Sequence, residues 1–166
     1  VGGQDPSNLA ELARVHRWRV IFDNAAGLGG IALYASTCQR PSVEFDVIMM
    51  HHKQNQIRLP GKYKWNPIII KFYEVIGEAY LAPSEIFRYW SNSEKAVINY
   101  KTNAINKNFR SSITVNLEDG NGFARWYYTL QNAWPSKIDT IELNYGSSDI
   151  ATCSVTFQYD SALEAQ

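Results

Sequence analysis

The chain has 166 residues, 45% hydrophobic, 13% aromatic and only 19% charged, which excludes a disordered chain and fits one domain around one core. Sixteen Lys and Arg balance sixteen Asp and Glu, so there is no global positive field to hold a phosphate backbone, and a tight nucleic-acid binder is excluded. Apolar stretches such as Ile68 to Ile70 are far too short to span a bilayer.

No charged segment leads into an apolar run near the start, so a soluble, unsecreted protein is expected, with Val1 implying an initiator Met removed or not numbered. Asp5, Pro6 and Ser7 ahead of Leu9, Ala10, Leu12 and Ala13 predict a short capped helix in an N-terminal arm, residues 1–14. From Val15 to Phe22 the period becomes two, with His16, Trp18, Val20 and Phe22 on one face, which predicts a strand. A glycine joint at 24–30 leads to a second strand near Ile31 to Cys38. After Pro41, Val43 to Val47 alternate again, and the polar stretch His51 to Gln56 reads as a hairpin tip.

Ile68 to Tyr73 is β-branched and aromatic, a strand close to the core. Pro83 and Ser84 ahead of Ile86, Phe87 and Trp90 predict the one substantial helix, near 84–92. The stretch from Asn92 to Arg110 has weak periodicity and reads as an exposed connection with room for a partial helix or strand. Ile113, Val115 and Leu117 then alternate with polar residues before an Asp119–Gly122 turn. Trp126, Tyr128 and Leu130 form the next apolar face and Ile141, Leu143 and Tyr145 another. After a turn at 146–149, residues 151 to 160 alternate without an exception. The sum is a mainly β (α+β) single domain over 1–166, a β-sandwich or partly open β-barrel with one flanking α-helix. Its β core spans 15–160 and its tail 161–166.

Catalytic signals are weak. Gly27 to Ala32 fits a dinucleotide fingerprint, but phosphate binding needs a helix directly after the glycines, and strand-like residues follow instead. His51 and His52 are neighbours, which in extended chain point to opposite faces and cannot readily clasp one ion. No nucleophile elbow, His-Glu-x-x-His or phosphate loop is present. No enzyme, cofactor or metal is therefore expected. Cys38 and Cys153 are too sparse for a disulfide framework and read as buried free thiols, with one bridge between them left open. Five Trp and ten Tyr keep a carbohydrate-binding sandwich as an unrelated alternative, although Trp18, Trp90 and Trp126 fall on apolar faces that suit a core.

Four segments in order carry a family resemblance: Lys64 to Tyr73 (KWNPIIIKFY), Phe87 to Trp90 (FRYW), Leu130 to Ile138 (LQNAWPSKI) and Ile150 to Tyr159 (IATCSVTFQY). Across residues 15 to 160 the chain resembles the tail tube proteins of contractile-tailed, T4-like (myovirus) bacteriophages, related to tube proteins of type VI secretion and other injection systems. The resemblance implies a virion protein assembled in the host cytoplasm as a homo-hexamer, which contributes strands to a ring-shaped inter-subunit barrel and stacks into a tube. The implied partners are the tail sheath, baseplate or tube-initiator, tape-measure and tail-terminator proteins. DNA would pass transiently without specific binding, and this chain would insert into no membrane. A tailocin or injection-system tube is the variant reading.

The same resemblance suggests site residues. Met49 to Gln56 resembles the family's projecting hairpin, making Met49, Met50, His51, His52 and Asn55 inter-ring contact candidates. A DNA-conducting lumen must be neutral or acidic, since basic walls retain phosphates. Glu44 and Asp46, or Thr114, Asn116 and Glu118, or Thr152, Ser154 and Thr156, are lumen-facing candidates, each equally readable as a solvated outer face. The polar side of the helix, with Glu85 and Arg88, is the sheath-facing candidate.

Overall fold

A computed structural model describes residues 14–22, 34–76, 82–92, 98–99, 104–105 and 110–165. The expected helix at 5–13, the glycine joint at 24–30 and the start of the second strand at 31–33 lie outside the described residues. The elements in chain order are β1 (Trp18–Phe22), β2 (Ala35–Cys38), β3 (Ser42–His52), β4 (Asn55–Asn66), β5 (Ile68–Tyr73) and α1 (Pro83–Asn92). There follow β6 (Ile98–Asn99), β7 (Ala104–Ile105), β8 (Ser111–Glu118), β9 (Ala124–Thr140), β10 (Thr152–Gln158) and β11 (Ser161–Ala165).

Seven strands make one antiparallel sheet in the order β1-β8-β9-β10-β5-β2, with β11 also on β9. The sheet coils into a partly open barrel: Phe22 of β1 lies 6.2 Å from Phe72 of β5, yet among the described residues no ladder joins β1 to β2. The expected mainly β architecture with a flanking helix is what the chain adopts.

The coil is set by a bend in β9. Its first half pairs with β8 and β11 and its second half with β10, and between them Asn132 adopts φ +55°, a left-handed conformation that Asn tolerates better than most residues. Asp160, at the matching bend between β10 and β11, locks the corner. Its amide donates to the Gln131 carbonyl at 3.0 Å, and its carboxylate accepts from Asn132 Nδ2 at 2.9 Å and from the Arg110 guanidinium at 2.8 Å. Pro135 sits just beyond the reach of β8, opposite Phe157 where the β10 register shifts, a place where a missing N–H costs no ladder bond.

The expected strand at Trp126 to Leu130 is longer than its apolar face suggested: β9 runs unbroken for 17 residues, Ala124–Thr140, because the Asn132 bend carries it through the Trp134-Pro135 step. Ile141, Leu143 and Tyr145 are in no strand and are exposed: pairing with β10 ends where the Ile141 amide donates to the Thr152 carbonyl at 3.2 Å. The expected tail at 161–166 is in large part the strand β11.

The core is continuous and aromatic. Val20 and Phe22, Ile68, Ile70 and Phe72, Ile113 and Val115, and Cys153, Val155 and Phe157 alternate inward from their strands, all 7% exposed or less. α1 begins with Pro83 at its first position, where the absent N–H is no loss, and carries Glu85 in its first turn, favourable to the helix dipole. Its buried face presents Phe87, whose ring lies 5.1 Å from Phe72, 5.5 Å from Phe157 and 5.9 Å from Phe22. Trp90 packs beside it at 6.4 Å. Both thiols are free. They sit on the two strands flanking β5, about 10 Å apart across two ladder spacings, and burial pushes each up to about 12, with Glu74 adding to the shift at Cys153.

Phe87→Ala removes the ring that four aromatic neighbours surround, so a loss of about 3–5 kcal/mol of unfolding free energy is expected. Arg88→Ala on the exposed side should stay within about 0.5 kcal/mol. Equal denaturant midpoints for the two variants would contradict this packing.

Candidate assembly interface

The residues that sequence reasoning singled out are distributed over three surfaces. The first is the hairpin of β3 and β4, joined by the two-residue turn Lys53-Gln54 with Lys53 at φ +54°. At about 3.3 Å per residue its arms reach about 35 Å. Almost every residue along them is exposed, and the hairpin is tied to the barrel only near its base, where Tyr159 Oη donates to the Asn66 carbonyl at 2.6 Å and Trp65 packs on Tyr159.

A bulge in β4 separates two pairing registers, Phe45 with Tyr63 on one side and Val47 with Pro60 on the other. Gly61 lets the strands close up there: a Cβ would stand 3.0 Å from the Asp46 carbonyl oxygen and 3.2 Å from Ile48 Cγ1, so its neighbours would have to give by a few tenths of an ångström. Because the extra residue is on β4, β3 alternates without interruption. Glu44, Asp46, Met50 and His52 share one face, joined by Asn55 opposite His52, while Met49 and His51 lie on the other. The inter-ring and acidic lumen candidates are thus brought together on one hairpin.

The hairpin is apolar on both faces. Ile48, Leu59, Met50 and Ile57 form one cross-strand block, and Val43, Phe45, Val47, Met49 and Tyr63 line the other side; all are exposed. An isolated two-stranded ribbon is marginal in water, and exposed apolar surface of this extent marks an interaction site. Sequence reading found the tip but missed this length, because Pro60 and Gly61 read as a break.

The second surface is the outer face of the barrel. Thr114, Asn116 and Glu118 are half-buried there, in register with Ile21 and Arg19 of β1 and with Thr129 and Tyr127 of β9. Arg19 Nε lies 3.2 Å from Glu118 Oε1, so the one acid of this row is neutralised in place. Thr152, Ser154 and Thr156 line a matching row on β10 beside Lys71. The third surface is the exposed side of α1, which carries Glu85 and Arg88.

Open backbone accompanies these faces. Among the described residues no strand pairs with the far side of β1, β2 or β11, and beyond Trp134 β9 is paired on its β10 side alone. At the mouth between β1 and β2 lies a cavity of about 350 Å³ bounded by Trp18, Cys38, Leu117, Arg14 and Arg40.

Among the described residues no group of three or more His, Cys, Asp or Glu is placed to hold a metal ion, and no helix is long and apolar enough to cross a membrane. Of the Trp and Tyr residues that suggested sugar stacking, Trp90 and Tyr159 are in the core with Trp18 and Trp65 packed against it, whereas Tyr63, Tyr73, Tyr127 and Tyr145 are exposed.

The family model for phage tail tube proteins matches residues 16–163. The chain belongs to that family. As a tail tube protein it is a structural component of the virion and not an enzyme. It is 23% identical over 145 residues to the tail tube protein of Serratia phage KSP90, covering 84% of this chain and 80% of that one. Its fold matches a chain of the anti-feeding prophage tube-terminating cap with a TM-score of 0.75 at 16% identity, over 97% of this chain and 95% of that chain. It also matches a chain of an extracellular contractile injection system, in the PVC sheath-tube complex in its extended state, with a TM-score of 0.73 at 18% identity, over 98% and 99%.

Because the hairpin's apolar side chains are exposed, they contribute little to the stability of the isolated chain. Ile48→Ser, Met50→Ser and Ile57→Ser combined should leave its thermal midpoint at low concentration nearly unchanged, each site within about 0.5 kcal/mol, and should reduce binding of an apolar dye. A large drop in the midpoint would show that the hairpin packs on its own barrel.

Proposed function

We propose that this tail tube protein, one tube domain over 1–166, forms a hexameric ring and that the rings stack head to tail into the inner tube of a contractile tail, conducting DNA to the host. The observation that carries the reading is the two-faced apolar hairpin, together with a barrel left open at its edges. Unpaired strand edges and exposed apolar ribbons invite aggregation unless something covers them. Identical copies provide that cover while leaving a defined hollow path, and a heterologous contact of this kind propagates into a filament.

Met49, Met50, His51, His52 and Asn55 at the hairpin's far end then contact the next ring, where the two Met side chains adapt to an imperfect fit. Thr114, Asn116 and Glu118 face the lumen. Their row is polar, and the Arg19–Glu118 pair leaves it without net charge, so phosphates slide past without counterion release. Glu44 and Asp46, placed on the hairpin, line the lumen where hairpins cross between rings. Glu85 and Arg88 face the sheath. Baseplate or initiator, tape-measure and terminator proteins meet the tube at its ends or within it. Fold matches from a baseplate, a sheath-tube complex and a tube-terminating cap support such partners.

Negative-stain microscopy of the purified protein at high concentration should reveal rings or tubes with a central hole. A strict monomer under all conditions overturns the reading. Because the fold is shared with injection systems, a tailocin tube is the second reading, and capsid and terminase genes beside this one would decide for a phage.

A further inference from the structure

The loop between β9 and β10 carries a surface that neither the barrel nor the core uses. Its residues Ile141, Leu143, Tyr145 and Ile150 are large, apolar and exposed: Ile141 by 49%, Leu143 by 84%, Ile150 by 66% and Tyr145 completely. The loop is shaped from within. The Asn144 carboxamide accepts from the Gly146 amide at 2.8 Å, and Ser147 Oγ donates to Asp149 Oδ2 at 2.7 Å while accepting from the Asp149 amide at 3.1 Å. A loop held by its own hydrogen bonds that presents apolar side chains to water is preorganised for a partner.

Its position says which partner. In the ladder of β10 on β5, Thr152 pairs with Tyr73 at one end and Phe157 with Ile68 at the other. Residues 141–150 leave from the Thr152 end. The β3–β4 hairpin is inserted between Cys38 and Ile68 and leaves from the opposite end, as does the cavity that Arg14 and Arg40 border. The two exposed apolar surfaces therefore stand at opposite poles of the barrel.

Their charges are opposite too. Residues 141–150 hold Glu142 and Asp149 and no base. The hairpin holds Lys53, Arg58, Lys62 and Lys64 against Glu44 and Asp46, a net of two positive charges, with Arg14 and Arg40 close to its base. Like ends repel and unlike ends attract, which selects head-to-tail contact.

We propose that the 141–150 loop is the docking site for the hairpin pole of the next copy along the tube, with Leu143 and Tyr145 seated on the hairpin's apolar face and Glu142 and Asp149 facing its bases. The proposal rests on the tube reading and supplies the receiving half of the contact between rings. It also accounts for apolar side chains at Leu143 and Tyr145, beyond the last bond to β10 at Ile141, where no core residue of their own chain covers them.

The test compares wild-type protein with Leu143→Asp combined with Tyr145→Asp, and separately with Glu142→Lys combined with Asp149→Lys, by electron microscopy and sedimentation velocity. Thermal melting at low concentration checks that each variant folds, which exposed positions should permit. Expected are wild-type tubes, single unstacked rings for the Asp variant with its critical concentration for tube growth raised at least about 100-fold, and weakened stacking for the Lys variant. Tubes of normal length from the folded Asp variant overturn the docking site and leave the tube reading standing. Loss of the rings themselves in that variant also overturns it, by moving the loop to a contact within the ring. Wild-type protein that never assembles overturns both.

Discussion

An apolar ribbon that its own chain cannot cover is the constraint on which the rest of this structure depends. Eleven and twelve residues are committed to strands β3 and β4, and their side chains gain almost nothing from the barrel. In a protein that acts alone such a segment would be a liability. Under the proposed assembly it is the arm by which one copy reaches another, and the open edges of β1, β2 and β11 extend the same requirement to the backbone.

The barrel itself does not wait for assembly. Phe22, Phe72, Phe87, Trp90 and Phe157 form one aromatic cluster beneath α1, and aromatic pairs of this geometry add to the area they bury. The Asp160 corner fixes how the sheet bends, so the outer rows of Thr114 and Thr152 and the hairpin base at Asn66 are held at set positions. The proposed assembly divides the work: the core supplies folding stability, and the poles and edges are left for contacts between copies. A nearly neutral chain suits both roles, since copies can pack without mutual repulsion and the tube has no field to trap its cargo.

Much of the barrel was legible in the sequence because its strands are buried on one face. Ile68 to Tyr73 and Thr152 to Gln158 alternate cleanly, and the structure buries every second residue as expected. Helix α1 was legible from Pro83, Ser84 and the Phe87/Trp90 spacing for the same reason. Legibility failed where the rule behind the pattern does not hold. The hairpin has no buried face, so no period marked its length, and Pro60-Gly61, a bulge inside β4, looked like a break. The continuation of β9 past Leu130 was not legible, because the Asn132 bend that carries it on is set by the Asp160 contacts 28 residues away. Ile141 to Tyr145 has the period of a strand, but its pairing with β10 ends at Ile141 and a turn follows at 145–146. Of the candidate site residues, the sequence located the hairpin tip and the polar side of α1, but not that Glu44 and Asp46 share a hairpin face with Met50.

Amide hydrogen exchange, measured on dilute and on assembled protein, tests most directly whether identical copies cover the ribbon. The account predicts that residues 42–66 exchange rapidly in the dilute chain, while β5, β8 and β10 are protected, and that the 42–66 amides become strongly protected on assembly. Hairpin amides that exchange equally fast in both states would contradict it.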